Sequence, residues 1–481
     1  MNKSVTLKKS LFIIVIIALI VLSSLLSINL KSKIYFGIIS FILIIVSSYL
    51  FWKQAVVALI LWVIFAGVVR KWILPQFSDL IFFFNHIILT GIYCRYLSES
   101  IIKRHPVFSR HPINIFLLVF VVWGGFCALN PEVPSALVGI LGLIIYFYYI
   151  PVIYLFPYLF KTKAEMFKWL KIFVIVSTPL LILGVIQFLL PYDHILNQYV
   201  QGDVEDIAFV GKFVRITSTF SYITGYTTYL NILILILVYL LSLGNLSKKL
   251  SRCFYILFAL AIVNLFMTGS RGPFFVTVFS IIIYLVIIGV VNTSQFKLIL
   301  PRLVAVLIVS GVIMLTPFGQ DATSAFVSRT TSNEDIIPRL VDTFTTPFRF
   351  AKDVGLYGYG LGTTYQGAIA LVGYSTRRFF GAMEFEEEPE RIVLEMGVVG
   401  FIIVYFLRLL LITWFFNLSF KLKDPELRSL ALIILLFQLQ FLIGLNALVF
   451  NHTSHIFYWF LIGFLFLLPK LDTKDINDAK T

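Results

Sequence analysis

EFEEEPERIVLEMGVVG, residues 384–400, places five glutamates in the seven positions 384–390 and then turns into an apolar run. The whole chain has only 24 acidic residues among 481, so this density is unusual for it. Lipid offers an ionised carboxylate nothing in place of water. The cluster therefore needs bulk solvent or a partner, and the junction near residue 390 reads as a solvent-side segment entering a membrane span. The same kind of junction recurs outward in both directions. Apolar runs of roughly 16 to 25 residues, long enough to cross the hydrocarbon layer as helices, begin near Leu11, Ile34, Ala55, Leu80, Pro112, Leu137, Leu170, Tyr222, Phe254, Pro273, Leu298, Ile392, Leu427 and His455.

Composition agrees with that reading. The chain is 59% hydrophobic and 13% charged, with a mean hydropathy of +0.96, where a soluble domain carries roughly 25% charged residues. The expected fold is all-α, a polytopic membrane protein with about 14 transmembrane helices. Its first run follows Lys3, Lys8 and Lys9 and lacks a small-residue cleavage pattern, so it reads as an uncleaved span. The net charge of +14 is carried mainly by short basic connections, such as Lys161–Lys163–Lys168–Lys171, Lys248–Lys249–Arg252 and Lys421–Lys423–Arg428. These fall on the side of the N-terminus, as the positive-inside rule expects, which puts both termini in the cytoplasm and leaves no nucleic-acid surface. The exceptions are Lys31, Lys33, Arg70 and Lys71. The last two lie in RKWILP, residues 70–75, next to Trp72, and read as a headgroup-level belt. Cys94, Cys127 and Cys253 lie in apolar stretches without paired spacing, so neither a disulfide framework nor a metal site is expected.

The organisation expected from these runs is an N-terminal bundle over 1–190 of about seven spans, a first extracytoplasmic loop over 191–221, and four further spans over 222–316. A large extracytoplasmic loop over 317–390, three closing spans over 391–469 and a cytoplasmic tail over 470–481 complete it. Loops longer than about 15 residues are usually functional or disordered. The large one is rich in Phe, Tyr, Arg and Gly, which favours folding over the membrane surface.

Candidate chemical groups cluster on that outer side. Arg271 lies in MTGSRGPFF, residues 267–275, a tight corner where a helix N-terminus and a guanidinium together suit an anion; a snorkelling arginine is the alternative. Arg215 opens RITSTFSYITGYTTYL, residues 215–230, whose hydroxyls either line a glycan-sized groove or cap a helix. Arg339, Arg349, Arg377 and Arg378 add cations in the large loop. In YGYGLGTTYQG, residues 357–367, glycines between tyrosines either let backbone approach a sugar ring or form an ordinary turn; no strand precedes them as a dinucleotide site requires. Glu384, Glu386, Glu387, Glu388 and Glu390 form either a solvated face paired with Arg377, Arg378 and Arg391, or a crowded set in which one carboxylate stays basic. His86, His452 and His455 lack ligand spacing and read as core or interfacial histidines.

Taken in order, RITSTFS before a span, Ser270–Arg271–Gly272, the IPRL segment followed by YGYGLG, and LEMGVVG opening the next span resemble the O-antigen ligase and polymerase superfamily over residues 191–410. Members are membrane glycosyltransferases of the GT-C type that act on polyprenyl-diphosphate-linked glycans. Ligases of that family commonly carry a His-Asn pair about eleven residues before the first glycine of the G-x-x-G helix; Glu386 and Glu387 stand there instead, which favours a polymerase over a ligase. The resemblance implies catalytic roles for Arg215, Arg271, Arg339, Glu386, Glu387 and Glu390. The arginines would neutralise the diphosphate leaving group, and one glutamate would activate the acceptor. Tyr359, Gly360, Gly362, Tyr365, Arg377 and Arg378 would bind substrate. It further implies no cofactor or metal, a glycan or lipid acceptor, membrane lipids as surroundings, association with a flippase or chain-length regulator, and an active extracytoplasmic face of the bacterial cytoplasmic membrane. The rival expectation is a lipid-linked oligosaccharide flippase or other transporter, which places ionisable groups at mid-membrane.

Overall fold

The computed structural model describes residues 30–481 except 105, 201–208, 211–212, 245, 317–318, 321–322, 325–326, 328–335, 373–387, 443–446 and 479–481. The described chain is helical apart from a two-residue antiparallel pair, Phe209–Val210 with Phe213–Val214. Among the described residues, ten helices are long and apolar enough to cross a membrane. They match ten of the runs found by length and hydropathy, those beginning near Ala55, Leu137, Leu170, Tyr222, Phe254, Pro273, Leu298, Ile392, Leu427 and His455. Gly37–Leu50 and Ile113–Ala128 are shorter apolar helices. The run near Leu80 becomes Ser78–Phe82 and Phe84–Lys103; the second carries polar Asn85 and His86 and an Arg95–Glu99–Lys103 set of ion pairs on successive turns, too polar for a span of the same quality. The run near Leu11 lies outside the described residues.

Two compact units make up the chain. The first comprises Met1–Ser109, Gln198–Gly202 and Thr219–Tyr222. Its helices α1 (Leu30–Leu50), α2 (Trp52–Val68) and α3 (Phe84–Lys103) pack with Trp62 stacked on Phe84 at 5.2 Å. After Val68 the chain widens into a π-helical turn, Val69–Ile73. In this turn Lys71 is buried, with its ammonium 4.5 Å from the Trp72 ring. Arg70 is held too, donating from Nε to the Ser78 carbonyl and hydroxyl and from Nη1 to the Ser221 hydroxyl.

The second unit comprises Arg110–Asn197, Asp203–Ser218 and Ile223–Thr481. It contains α4 (Ile113–Ala128), α5 (Ala136–Phe147), α6 (Lys163–Leu189), α7 (Ile223–Ser242), α8 (Lys248–Met267), α9 (Arg271–Val291), α10 (Thr293–Leu315), α11 (Ile336–Val354), α12 (Gln366–Val372), α13 (Glu388–Lys421), α14 (Pro425–Leu442), α15 (His452–Ile462) and α16 (Phe464–Asp478). At its centre lies α7, buried on every side from Gly225 to Ser242. A helix apolar all round is suited to such a position, and its few polar residues find partners there. Thr228 bonds Ser454, Asn231 donates from Nδ2 to the Gln440 side-chain oxygen at 3.2 Å, and Thr277 donates to Asn231 Oδ1.

The decisive irregularity is in α13. Gly397 has φ 68° and ψ −174°, so the helix is two limbs, 388–396 and 398–421. Glu388 pairs with Arg408, twenty residues on; a straight helix would hold them about 30 Å apart, so the chain doubles back at Gly397. A Cβ at that glycine would overlap the Leu356 carbonyl. We expect Gly397→Ala to cost about 2 kcal/mol or more through strain in this backbone region alone, read as a clear fall in the melting temperature of the purified protein; unchanged melting would contradict the reversal.

Candidate functional site

The segments singled out in the sequence come together in pairs. In the first pair, Arg215 is buried and donates from Nε to the Thr268 carbonyl (2.9 Å) and from Nη2 to the Ser270 hydroxyl (2.9 Å). The Ile216 amide donates to the Met267 carbonyl. The stretch after Arg215 is fixed from the other side by Gln187, whose carbonyl oxygen accepts the Ser218 amide at 2.7 Å while the Ser218 hydroxyl donates to Leu180. Ser218 needs this support because its φ is 49°. Arg215 is thus delivered to the corner between α8 and α9, where Ser270 is the N-cap position and half-buried Arg271 is the first helical residue. These two acceptors are neutral oxygens, and they orient the guanidinium.

In the second pair, the glycine-rich loop docks on the broken helix. The Tyr359 amide donates to the Leu394 carbonyl (2.7 Å) and the Gly360 amide to the Glu395 carbonyl (3.2 Å), two acceptors that the reversal at Gly397 releases from the helix. From the other side, Asn130 Nδ2 donates to the Gly358 carbonyl (2.8 Å), the Leu361 amide donates to Cys127, and Trp123 Nε1 donates to the Met396 carbonyl (3.1 Å). Gly358 has φ 74°, and a Cβ on it would come within 2.7 Å of Leu394 O. Gly360 and Gly362 also have positive φ, and Gly362 lies against the backbone of Val138 and Gly142. The glycines therefore serve close approach of backbone to backbone.

A buried polar knot fastens this junction. Glu395 is fully buried and accepts from the Thr364 amide (2.9 Å) and hydroxyl (2.6 Å). Arg391 donates from Nη2 to the Thr364 carbonyl (2.7 Å) and from Nε to its hydroxyl (3.1 Å), with its guanidinium 3.5 Å from the centre of the Phe450 ring. Glu388, the one cluster glutamate whose side chain is buried among the described residues, takes a structural position: its carboxylate binds Arg408 and accepts from the Leu448 amide, and Arg408 Nη1 donates to the Phe441 carbonyl (2.9 Å).

Between the two pairs sits the tripeptide Phe450–Asn451–His452, which opens α15. Phe450 receives Arg391. Asn451 caps the helix by accepting from the Ser454 amide and donates to the Thr224 hydroxyl at the start of α7 (2.7 Å). Half-buried His452 bridges two phenols, Tyr149 at 2.9 Å from Nδ1 and Tyr365 at 3.4 Å from Nε2. Two residues further along α7, Tyr226 donates to Asn264, on the same helix end as Thr268. The Arg215 corner and the His452 bridge are therefore linked through the start of α7 and the end of α8.

Of the residues named from sequence, Arg215 and Arg271 share one corner, and Tyr359, Gly360, Gly362 and Tyr365 share the loop. Glu390 is half-buried one turn before Leu394 on the short limb. Arg339 falls on α11, with its side chain outside the described residues, and Arg377, Arg378, Glu386 and Glu387 lie outside them altogether. Arg391, Glu395, Arg408, Asn451 and the bridging role of His452 carried no spacing signal. Among the described residues no group of three or more His, Cys, Asp or Glu could hold a metal ion. No family model matches the chain, and no curated protein is significantly similar to it.

The Glu388–Arg408 pair gives a direct test of its structural character. Removing one partner of a buried pair leaves an uncompensated charge and costs about 3–5 kcal/mol, whereas replacing both by apolar residues is often neutral. Arg408→Met should lower the melting temperature strongly, and adding Glu388→Leu should restore most of it. A double variant no more stable than the single one would show that the pair does more than hold the fold.

Proposed function

We propose that this protein is a membrane glycosyltransferase that transfers a glycan from a polyprenyl diphosphate to a sugar hydroxyl, extending a polysaccharide such as O-antigen or exopolysaccharide. The observation that carries the reading is the Arg215–Arg271 corner: a buried guanidinium held on neutral oxygens at the start of a helix whose first residue is also an arginine. A buried, oriented guanidinium with a second arginine and helix N–H groups beside it is suited to an anionic leaving group, because a preorganised positive site stabilises developing charge better than mobile water does. The docked loop also brings the Thr364 hydroxyl to Glu395 and the Tyr365 hydroxyl to His452, polar groups of the kind a glycan needs. Polymerisation is favoured over ligation by the acidic residues at 386 and 387.

We further propose about 14 spans, counting the stretches outside the described helices, with both termini cytoplasmic and the Arg215–Arg271 corner on the extracytoplasmic face of the bacterial cytoplasmic membrane. The clustering of basic connections supports this orientation. Lys470 donates to Pro157, and Lys163 pairs with Asp424 and Glu426, so these basic turns gather together, while the connections bearing Arg215, Arg271 and His452 follow spans that cross away from them. A flippase or chain-length regulator would then be a partner on the same pathway of lipid-linked glycans.

One observation favours the carrier reading instead. Glu388, Glu395 and Arg408 are buried within the span formed by α13, which is itself broken, and discontinuous helices with buried charge are typical of transporters. Reconstituted protein given a polyprenyl-diphosphate-linked oligosaccharide separates the two: glycan transfer or chain growth is the expected result, and lipid scrambling without transfer would establish the carrier. Within the enzyme reading, Arg271→Lys keeps the charge but loses the fork. Loss of one charge-assisted hydrogen bond, about 1.5–3 kcal/mol, corresponds to roughly a ten- to hundredfold slower transfer. Wild-type rates in that variant would remove Arg271 from the site.

A further inference from the structure

From the bridge it makes between Tyr149 and Tyr365, we infer that His452 is the base that takes the proton of the acceptor hydroxyl, an inference that rests on the glycosyl-transfer reading above. A neutral imidazole has one N–H donor and one bare acceptor nitrogen. Tyr149 is fully buried and lies 2.9 Å from Nδ1; the proposed role uses the tautomer in which Nδ1–H donates to the Tyr149 oxygen and Nε2 is the bare, basic nitrogen. Nε2 meets the Tyr365 hydroxyl at 3.4 Å, a long contact on a half-buried residue. An incoming hydroxyl can replace so weak a partner, and Tyr365 then stands beside the acceptor as a second hydrogen-bonding group.

The surroundings hold the ring in place. Asn451 anchors the preceding residue to Thr224, and the His455 amide donates to the Asn451 carbonyl, so the first turn of α15 is fixed at both ends. Tyr149 packs edge-on against both His452 and His455. The same tripeptide contacts the short limb of α13 through Arg391 on Phe450, and Thr364, the neighbour of Tyr365, is the residue that Glu395 holds. Both partners of the imidazole are thus positioned by the core.

In the transfer, the acceptor oxygen attacks the anomeric carbon of the donor sugar. The bond from that carbon to the diphosphate oxygen breaks, and its electron pair leaves with the diphosphate toward Arg215 and Arg271. The hydroxyl proton passes to Nε2 of His452, and the resulting imidazolium returns it to water before the next cycle. This gives the base role to a histidine of the last helical segment.

The test compares wild type, His452→Ala and His452→Gln in a transfer assay with a polyprenyl-diphosphate-linked oligosaccharide extracted from the producing cells. General-base catalysis contributes typically 10²–10⁴-fold, so kcat should fall at least about a hundredfold in both variants with the donor KM within about threefold of wild type. A smaller fall in kcat in either variant, or a loss that appears mainly in donor KM, overturns the role. His452→Gln retains hydrogen-bonding groups toward both phenols, so it reports on the chemistry should the alanine variant prove unstable. If wild type itself transfers nothing while scrambling lipid, the glycosyl-transfer reading fails, an outcome distinct from active wild type with active His452 variants.

Discussion

The reversal at Gly397 is the constraint on which the rest of the second unit depends. A helix of L-residues cannot pass through φ 68°, ψ −174° without strain, and only glycine adopts that conformation readily. Breaking the helix there frees the carbonyls of Leu394, Glu395 and Met396 from their intrahelical partners. In hydrocarbon each freed group would be left without hydrogen bonds, a cost of several kcal/mol apiece. The glycine-rich loop and Trp123 supply those bonds, from the Tyr359 and Gly360 amides and the indole N–H respectively. Loop and break are therefore one structure: neither the loop's positive-φ glycines nor the break would be stable without the other.

This coupling explains why the polar groups are arranged as they are. Turning α13 back brings Arg391 and Glu395 to Thr364, and Arg391 onto Phe450 at the entrance to α15. From Asn451 the contacts pass to the start of α7, and from Tyr226 and Asn264 to the corner that holds Arg215. Because α7 is enclosed by its neighbours along nearly its whole length, it acts as a rigid post for both groups of residues. Sites built on such supported side chains hold their geometry better than sites on free loops.

Much of the architecture is legible in the sequence because a membrane span announces itself by length and hydropathy alone, which is why ten of the expected runs appear as spanning helices. The pairings are far less legible. RITSTFS and Ser270–Arg271 stand out as polar interruptions, yet nothing in their spacing says that Arg215 reaches Thr268. Glu388 and Arg408 are twenty residues apart within what reads as one apolar helix, and only a reversal can join them. The glycines of YGYGLG are conspicuous, but the same residues suit a sugar or a neighbouring backbone equally, and only their surroundings identify the backbone contact. His452 was legible as a residue and not as a bridge, since its partners Tyr149 and Tyr365 are 303 and 87 positions away. The burial of Lys71 against Trp72 is equally hidden in the sequence, since only the π-helical turn after Val68 shows how that side chain packs.

The buried charges of α13 have a physical account that does not require a transported ion. Glu388 lies in the first turn of the short limb, where a carboxylate is favoured by the positive end of the helix, and it also accepts the Leu448 amide. Arg408 donates to Phe441 in the last turn of α14, where unsatisfied carbonyls favour a cation. Each charge also satisfies a backbone group, the Leu448 amide in the connection before α15 and the Phe441 carbonyl at the end of α14. A pair with these bonds has little reason to release either partner. Glu395 differs, because its partners are the amide and hydroxyl of one threonine on a loop and not a second helix end. Of the buried carboxylates in α13, it is the one whose environment depends on the docked loop, and a carrier mechanism would have to work through that junction.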